Sequence, residues 1–181
     1  FKGMELRLAM DYSTVQSFVT TGFEPMTEKG ISPVALGAKI DLTDQKGWIP
    51  EMALIIHVNT PVFISDFSLG YAVPDVILAA SHAINQHFSL GYNLGIEWAD
   101  RDASPVKKYS AVAGFGLSDR IGMYIESFGS FDNGEFTNMI DGGFTILILP
   151  NLQYDISGGV GVTASSPDFF VSTGLSFRLP Q

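Results

Sequence analysis

The sequence predicts an all-β fold, an antiparallel up-and-down transmembrane β-barrel, and three observations predict it. Apolar and polar residues alternate with period two, as in Phe88-Ser-Leu-Gly-Tyr-Asn-Leu-Gly-Ile-Glu-Trp98, so a strand there carries one apolar face and one small, polar face. This pattern recurs about ten times along the chain, as a barrel wall between lipid and a polar interior requires. Charged residues are 16% of the chain against 46% hydrophobic, below the roughly 25% charge of soluble domains, and the mean hydropathy is +0.22. The longest apolar stretches, 53–58 and 144–150, nevertheless fall far short of the ~20 residues of a membrane helix. A sheet crosses lipid only when it closes on itself.

Each expected strand rests on its own contrast between faces. Strand 4–12 sets Leu6, Leu8 and Met10 against Glu5 and Arg7; 32–43 sets Val34, Leu36 and Ile40 against Lys39 and Asp41. Strand 50–58 opposes Met52, Leu54 and Ile56 to Glu51 and His57, whereas 75–83 has little contrast. In 88–99, Leu90, Tyr92, Leu94 and Ile96 oppose Glu97; in 108–117, Ala113 and Phe115 oppose Lys108; in 121–130, Met123 and Ile125 oppose Glu126. Strand 138–149 places Phe144, Ile146 and Ile148 opposite Asp141. Strand 152–163 places Ile156 and Val160 opposite Asp155, and 169–179 places Val171, Leu175 and Phe177 opposite Arg178. Most of these runs have about the 9–11 residues of a tilted membrane strand.

The connections at 44–48, 85–87, 118–120 and 150–151 are short and the others, notably 13–30 and 59–74, mostly longer, the asymmetry of periplasmic turns and external loops. Asn133-Gly134 supplies the positive φ of a tight hairpin. Aromatic residues gather near strand ends, with Tyr12, Trp98, Tyr109 and Phe169 toward the loops and Trp48, Phe88, Tyr154 and Phe177 toward the turns, as interfacial girdles do. The whole of 1–181 reads as a single barrel domain. A soluble barrel that turns its apolar face inward is the alternative, since periodicity alone does not say which face points out; glycines on the polar face and the low charge favour the membrane.

Glu5, Arg7, Lys39, Asp41, Glu51, His57, Glu97, Lys108, Glu126, Asp141, Asp155 and Arg178 are the expected lumen-lining residues. Acids outweigh bases among them, which favours cations in a low-dielectric passage. Glu97 and Glu126 are the expected selectivity residues, facing one another or pairing with Lys39 or Arg178. No catalytic residue, metal site or cofactor is expected. There is no cysteine, the three histidines lack metal-ligand spacing, and His57, the one expected inside, has no nucleophile in a recognised motif. Gly114-Phe-Gly116 and 158–162 are glycine-rich, but no helix follows to hold a phosphate. The loop acids Glu24, Glu28, Asp100, Asp102, Asp132 and Glu135 read as a solvated surface. A net charge of −9 excludes nucleic acid as a partner.

The runs Leu36-Gly-Ala-Lys-Ile-Asp-Leu42, Leu94-Gly-Ile-Glu-Trp98, Gly114-Phe-Gly-Leu-Ser-Asp119, Tyr124-Ile-Glu126, Asp141-Gly-Gly-Phe-Thr145, Asn151-Leu-Gln-Tyr-Asp155 and Gly174-Leu-Ser-Phe-Arg178 together resemble the outer-membrane transporter family named for the MetA pathway of phenol degradation. The resemblance implies a Gram-negative outer-membrane barrel of about twelve strands, with two strands upstream of Met4 and residues 1–3 as the turn entering the first strand here. On this basis the chain reads as a processed form or a fragment. The function expected is a small-solute channel or transporter in contact with outer-membrane lipid. The alternative is a non-conducting accessory or scaffold subunit bound to outer-membrane protein partners.

Overall fold

The computed structural model describes residues 3–9, 12–17, 26–31, 34–60, 72–98 and 104–177. Every regular element in it is a strand: β1 (Met4–Ala9), β2 (Tyr12–Ser17), β3 (Met26–Ile31), β4 (Val34–Thr43), β5 (Glu51–Thr60) and β6 (Val73–Asn85), then β7 (Phe88–Glu97), β8 (Val106–Gly116), β9 (Ile121–Asp132), β10 (Glu135–Leu149), β11 (Leu152–Gly161) and β12 (Phe169–Phe177). Ten of them form one antiparallel barrel sheet in the order β1-β4-β5-β6-β7-β8-β9-β10-β11-β12, while β2 and β3 form a separate hairpin. That hairpin corrects the long loop expected at 13–30, and Tyr12, expected in the first strand, belongs to β2. Glu5 to Leu8 pair with Leu36 to Lys39; among the described residues β12 pairs with β11 alone.

Register assigns every side chain to a face, because directly paired residues point the same way. Leu6, Ala38, Ile56, Val76 and Ile96 form one rung across five strands, and Ile40, Leu54, Leu78, Leu94 and Tyr109 another. This face carries the apolar residues of the sequence pattern, and it is uncovered: Leu94 is 66% exposed and Leu36 52%. Met10 lies outside the described residues. The other face is concave. Phe128 on β9 and Phe170 on β12 touch, with centroids 6.1 Å apart, although three strand steps would separate them by about 14 Å on a flat sheet. Ala53 and Met139, both buried, lie on this inner side.

Turn chemistry closes the hairpins. Asn133 (φ 45°) and Gly134 (φ 91°) both take the left-handed conformation of a two-residue hairpin turn. The Asn85 side-chain amide oxygen, Oδ1, accepts from the backbone N–H of His87 at 2.8 Å and of Phe88 at 3.0 Å. Gln45 reaches from the β4–β5 turn to Ala83, donating to its carbonyl at 3.1 Å and accepting from its N–H at 2.7 Å.

Aromatic rings mark both rims of the outer face. Phe88 and Phe115 pack 5.2 Å apart at the turn rim. At the loop rim Phe131 and Phe136 stack at 4.5 Å, and Tyr109 stacks on Phe136 at 6.2 Å. Tyr109 reaches across β9 because Gly129 has no side chain there; a Cβ would stand 3.0 Å from the tyrosine oxygen. The two tryptophans sit at opposite rims. Trp48 is in the β4–β5 turn and 90% exposed, and Trp98 follows β7, its N–H donating to the Pro74 carbonyl at 3.1 Å.

A Leu94→Arg substitution places a guanidinium midway along the outer face, and a cost of about 2–4 kcal/mol is expected if that face meets the bilayer midplane. Urea unfolding from lipid vesicles measures it. An unchanged midpoint would mean that this face does not meet hydrocarbon.

Candidate functional site

The concave face is built from rungs of paired inward residues. Arg7, Gly37, His57, Asp75 and Glu97 form the charged rung toward the loop rim. Next come Glu5, Lys39, Ile55, Ile77, Gly95 and Lys108, continued by Ser130 and Thr137. Below them Asp41, Ala53, Ala79, Asn93, Ser110, Phe128 and Met139 form a largely apolar waist. Glu51, Ser81, Gly91, Val112, Glu126, Asp141, Gly159 and Phe170 follow. Asp155 pairs with Thr145 and Gly174 nearest the turns. The register therefore places Glu5, Arg7, Lys39, Asp41, Glu51, His57, Glu97, Lys108, Glu126, Asp141 and Asp155 on one face; Arg178 lies outside the described residues, as do Glu24, Asp100 and Asp102.

Five of these residues are compensated locally. Lys108 and Glu97 form an ion pair across β7 and β8. Lys39 Nζ lies 3.5 Å from Asp41 Oδ1, two residues along the same strand. His57 Nδ1 stands 3.5 Å from Asp75 Oδ2, directly opposite in the ladder, with both side chains mostly buried. Gly37 makes room for this pair, since a Cβ there would overlap the imidazole ring. The arrangement resembles the oriented His–Asp half of a nucleophile-activating set, but His57 Nε2 has no hydrogen-bond partner among the described residues.

Glu126 and Asp141 differ. They are direct cross-strand neighbours, and among the described residues no ion pair reaches either. Like charges directly opposite one another are destabilising, so a hydroxyl takes up part of the load. Tyr124 donates to Asp141 Oδ2 at 3.5 Å. Ser110, which accepts from Asn93 Nδ2 at 2.8 Å, lies two residues from Val112, the ladder partner of Glu126 on β8. Of the partners expected for Glu97 and Glu126, Arg178 lies outside the described residues and Lys39 pairs with Asp41; Glu97 is held by Lys108, and the partner of Glu126 in the ladder is Asp141. The family model described as "Putative MetA-pathway of phenol degradation" matches residues 4–179, nearly the whole of this wall. The chain belongs to that family. Its description names a pathway and assigns no role to any of these residues. No curated protein matches the chain.

Sequence reasoning missed Asp75, although it partners His57. Alternation with Ile77, Ala79 and Ser81 places it inward, but those neighbours give the face no polar signature. Asn93, Ser110, Tyr124, Phe128 and Phe170 were legible in principle, each lying an even number of residues from an inward position on its own strand. A recess of about 270 Å³ opens beside Gly95, lined by Ile55, Ile77, Asn93, Lys108, Ser110 and Phe128 among others. Its floor is apolar, its rim carries the amide and the ammonium, and it exists because Gly95 projects nothing into it.

The Lys108–Glu97 pair is partly exposed, at 46% and 29%, so a coupling energy of about 0.5–1 kcal/mol is expected. A double-mutant cycle with Lys108→Met and Glu97→Gln, read from urea midpoints, measures it; strictly additive effects would mean that the two charges do not interact.

Proposed function

We propose that this chain is an outer-membrane β-barrel that passes small solutes along its concave face, without enzymatic activity. The observation that carries this reading is the segregation of the wall: an uncovered apolar outer face with aromatic rims, against an inner face of charges, hydroxyls and glycines with a recess at mid-height. Burying the outer face in hydrocarbon removes its apolar surface from water at roughly 25 cal/mol per Å², and no other element of the described chain covers it. The family's association with phenol degradation is compatible with solutes that are small and partly apolar, and the Ile55–Ile77–Phe128 floor of the recess suits them. Surrounding outer-membrane lipid is the expected partner.

The second reading is a plugged accessory barrel that binds outer-membrane protein partners. The apolar waist favours it, since Ala53 and Met139 are 4% and 6% exposed and narrow the interior where a channel would be wettest.

Single-channel recording in planar bilayers separates the two. Under a salt gradient the first reading predicts discrete conductance with a reversal potential on the cation side, because Glu126 and Asp141 have no cationic partner among the described residues, and a preference that fades as salt screens the wall. The Glu126→Gln, Asp141→Asn double variant is expected to lose most of that preference while still conducting. Absence of any conductance in the folded wild-type barrel would overturn the channel reading and leave the accessory subunit.

A further inference from the structure

The Glu126–Asp141 neighbours are surrounded by aromatic rings in a way that ion conduction alone does not require. Tyr124 and Phe128 flank Glu126 two residues away on β9, both on its face. Phe170 belongs to the same rung as the two acids. The bare backbone of Gly159 lets ring and carboxylate converge: a Cβ there would stand 2.6 Å from Asp141 Cβ and 2.5 Å from the edge of the Phe170 ring. Phe128 packs edge-on against Phe170. Asp141 is only 7% exposed, and its Oδ1 is buried with no hydrogen-bond partner among the described residues. A buried carboxylate oxygen with no donor is costly, and the ladder neighbour of Asp141 is itself an acid, Glu126.

We infer that Glu126, Asp141 and the rings of Tyr124, Phe128 and Phe170 form a binding site for a small organic ammonium ion. Two carboxylates supply the charge and the vacant acceptor. The aromatic faces supply the attraction that rings exert on a weakly hydrated alkylammonium head. A divalent metal fits poorly, because hard cations take six or more oxygen ligands, and among the described residues no cluster of three or more metal-ligating side chains exists. Phe170, on the terminal strand of the sheet, stands on the same rung as Asp141 across Gly159 and supplies the ring nearest to it. The site deepens the solute-passage reading and rests on the concave face being open to water.

The test is calorimetric titration of the folded, detergent-solubilised protein with choline, with its neutral isostere 3,3-dimethylbutan-1-ol as control. Choline is expected to bind and the alcohol not to. Glu126→Gln and Asp141→Asn should each weaken binding by about tenfold or more, the scale of one charge-assisted contact. Phe170→Leu should weaken it by about two- to thirty-fold, the range of a cation–ring interaction. Each variant is first checked for a heat-dependent gel shift, so that loss of fold is separated from loss of binding. A wild-type barrel that ignores choline, or a folded Glu126→Gln, Asp141→Asn variant that binds it undiminished, overturns the inference. Equal binding of the alcohol overturns it too. Conductance without choline binding leaves the channel reading standing and removes the site; binding without conductance does the reverse.

Discussion

The ladder of backbone hydrogen bonds is the constraint on which the other features depend. In hydrocarbon an unpaired N–H or C=O costs several kcal/mol, so a strand there is paired on both sides, as β4 through β11 are. Pairing fixes register in steps of two, and a slip of one residue would send Leu94 inward and Glu97 outward. The hairpin turns hold that register, with Asn133-Gly134 between β9 and β10 and the Asn85 side chain between β6 and β7. The ion pairs and ring contacts follow from it.

Once register is fixed, the inner face must accommodate large side chains on a concave surface. Glycine resolves the crowding locally: Gly37 receives the imidazole of His57, Gly159 the ring of Phe170, and Gly174 the carboxylate of Asp155. The same device outside, at Gly129, allows one tyrosine to bridge three strands. Charge is then distributed unevenly over the wall. The β4–β8 half carries compensated pairs, Lys39 with Asp41 and Lys108 with Glu97, while β9 and β10 present two acids without a cationic partner among the described residues. Among the described residues no ion pair reaches Glu51 on β5 or Asp155 on β11 either, so it is the direct adjacency of Glu126 and Asp141 that sets β9 and β10 apart.

Much of this was legible in the sequence, and the physics says why. Strand cores from β4 to β12 could be read because an apolar outer face and a polar inner face stamp period two on the chain, and the faces assigned to Leu94, Ile125 and Phe144 agree with the register. Strand ends were less legible, since pairing continues past the contrast: Val73 and Pro74 ladder onto Asn59 and Val58 through backbone alone. The β2–β3 hairpin escaped because Ser13-Thr-Val-Gln-Ser17 and Thr27-Glu-Lys-Gly30 carry no apolar stripe. The inward placement of Glu97, Lys108, Glu126 and Asp141 could be read one strand at a time. That Glu97 meets Lys108 could not, because contact across strands depends on register and the long connection between β7 and β8 conceals it, whereas the two-residue Asn133-Gly134 turn fixes the register that sets Glu126 beside Asp141.

Trp48 and Trp98 stand at opposite rims, one nearly bare in a turn that Gln45 ties to β6, the other hydrogen-bonded to Pro74 beyond the end of β7. The molecule consequently carries two native optical probes separated by the height of the wall. With either indole removed, the emission of the other reports one rim alone, so the order in which the two ends become embedded during assembly can be followed without attaching any dye.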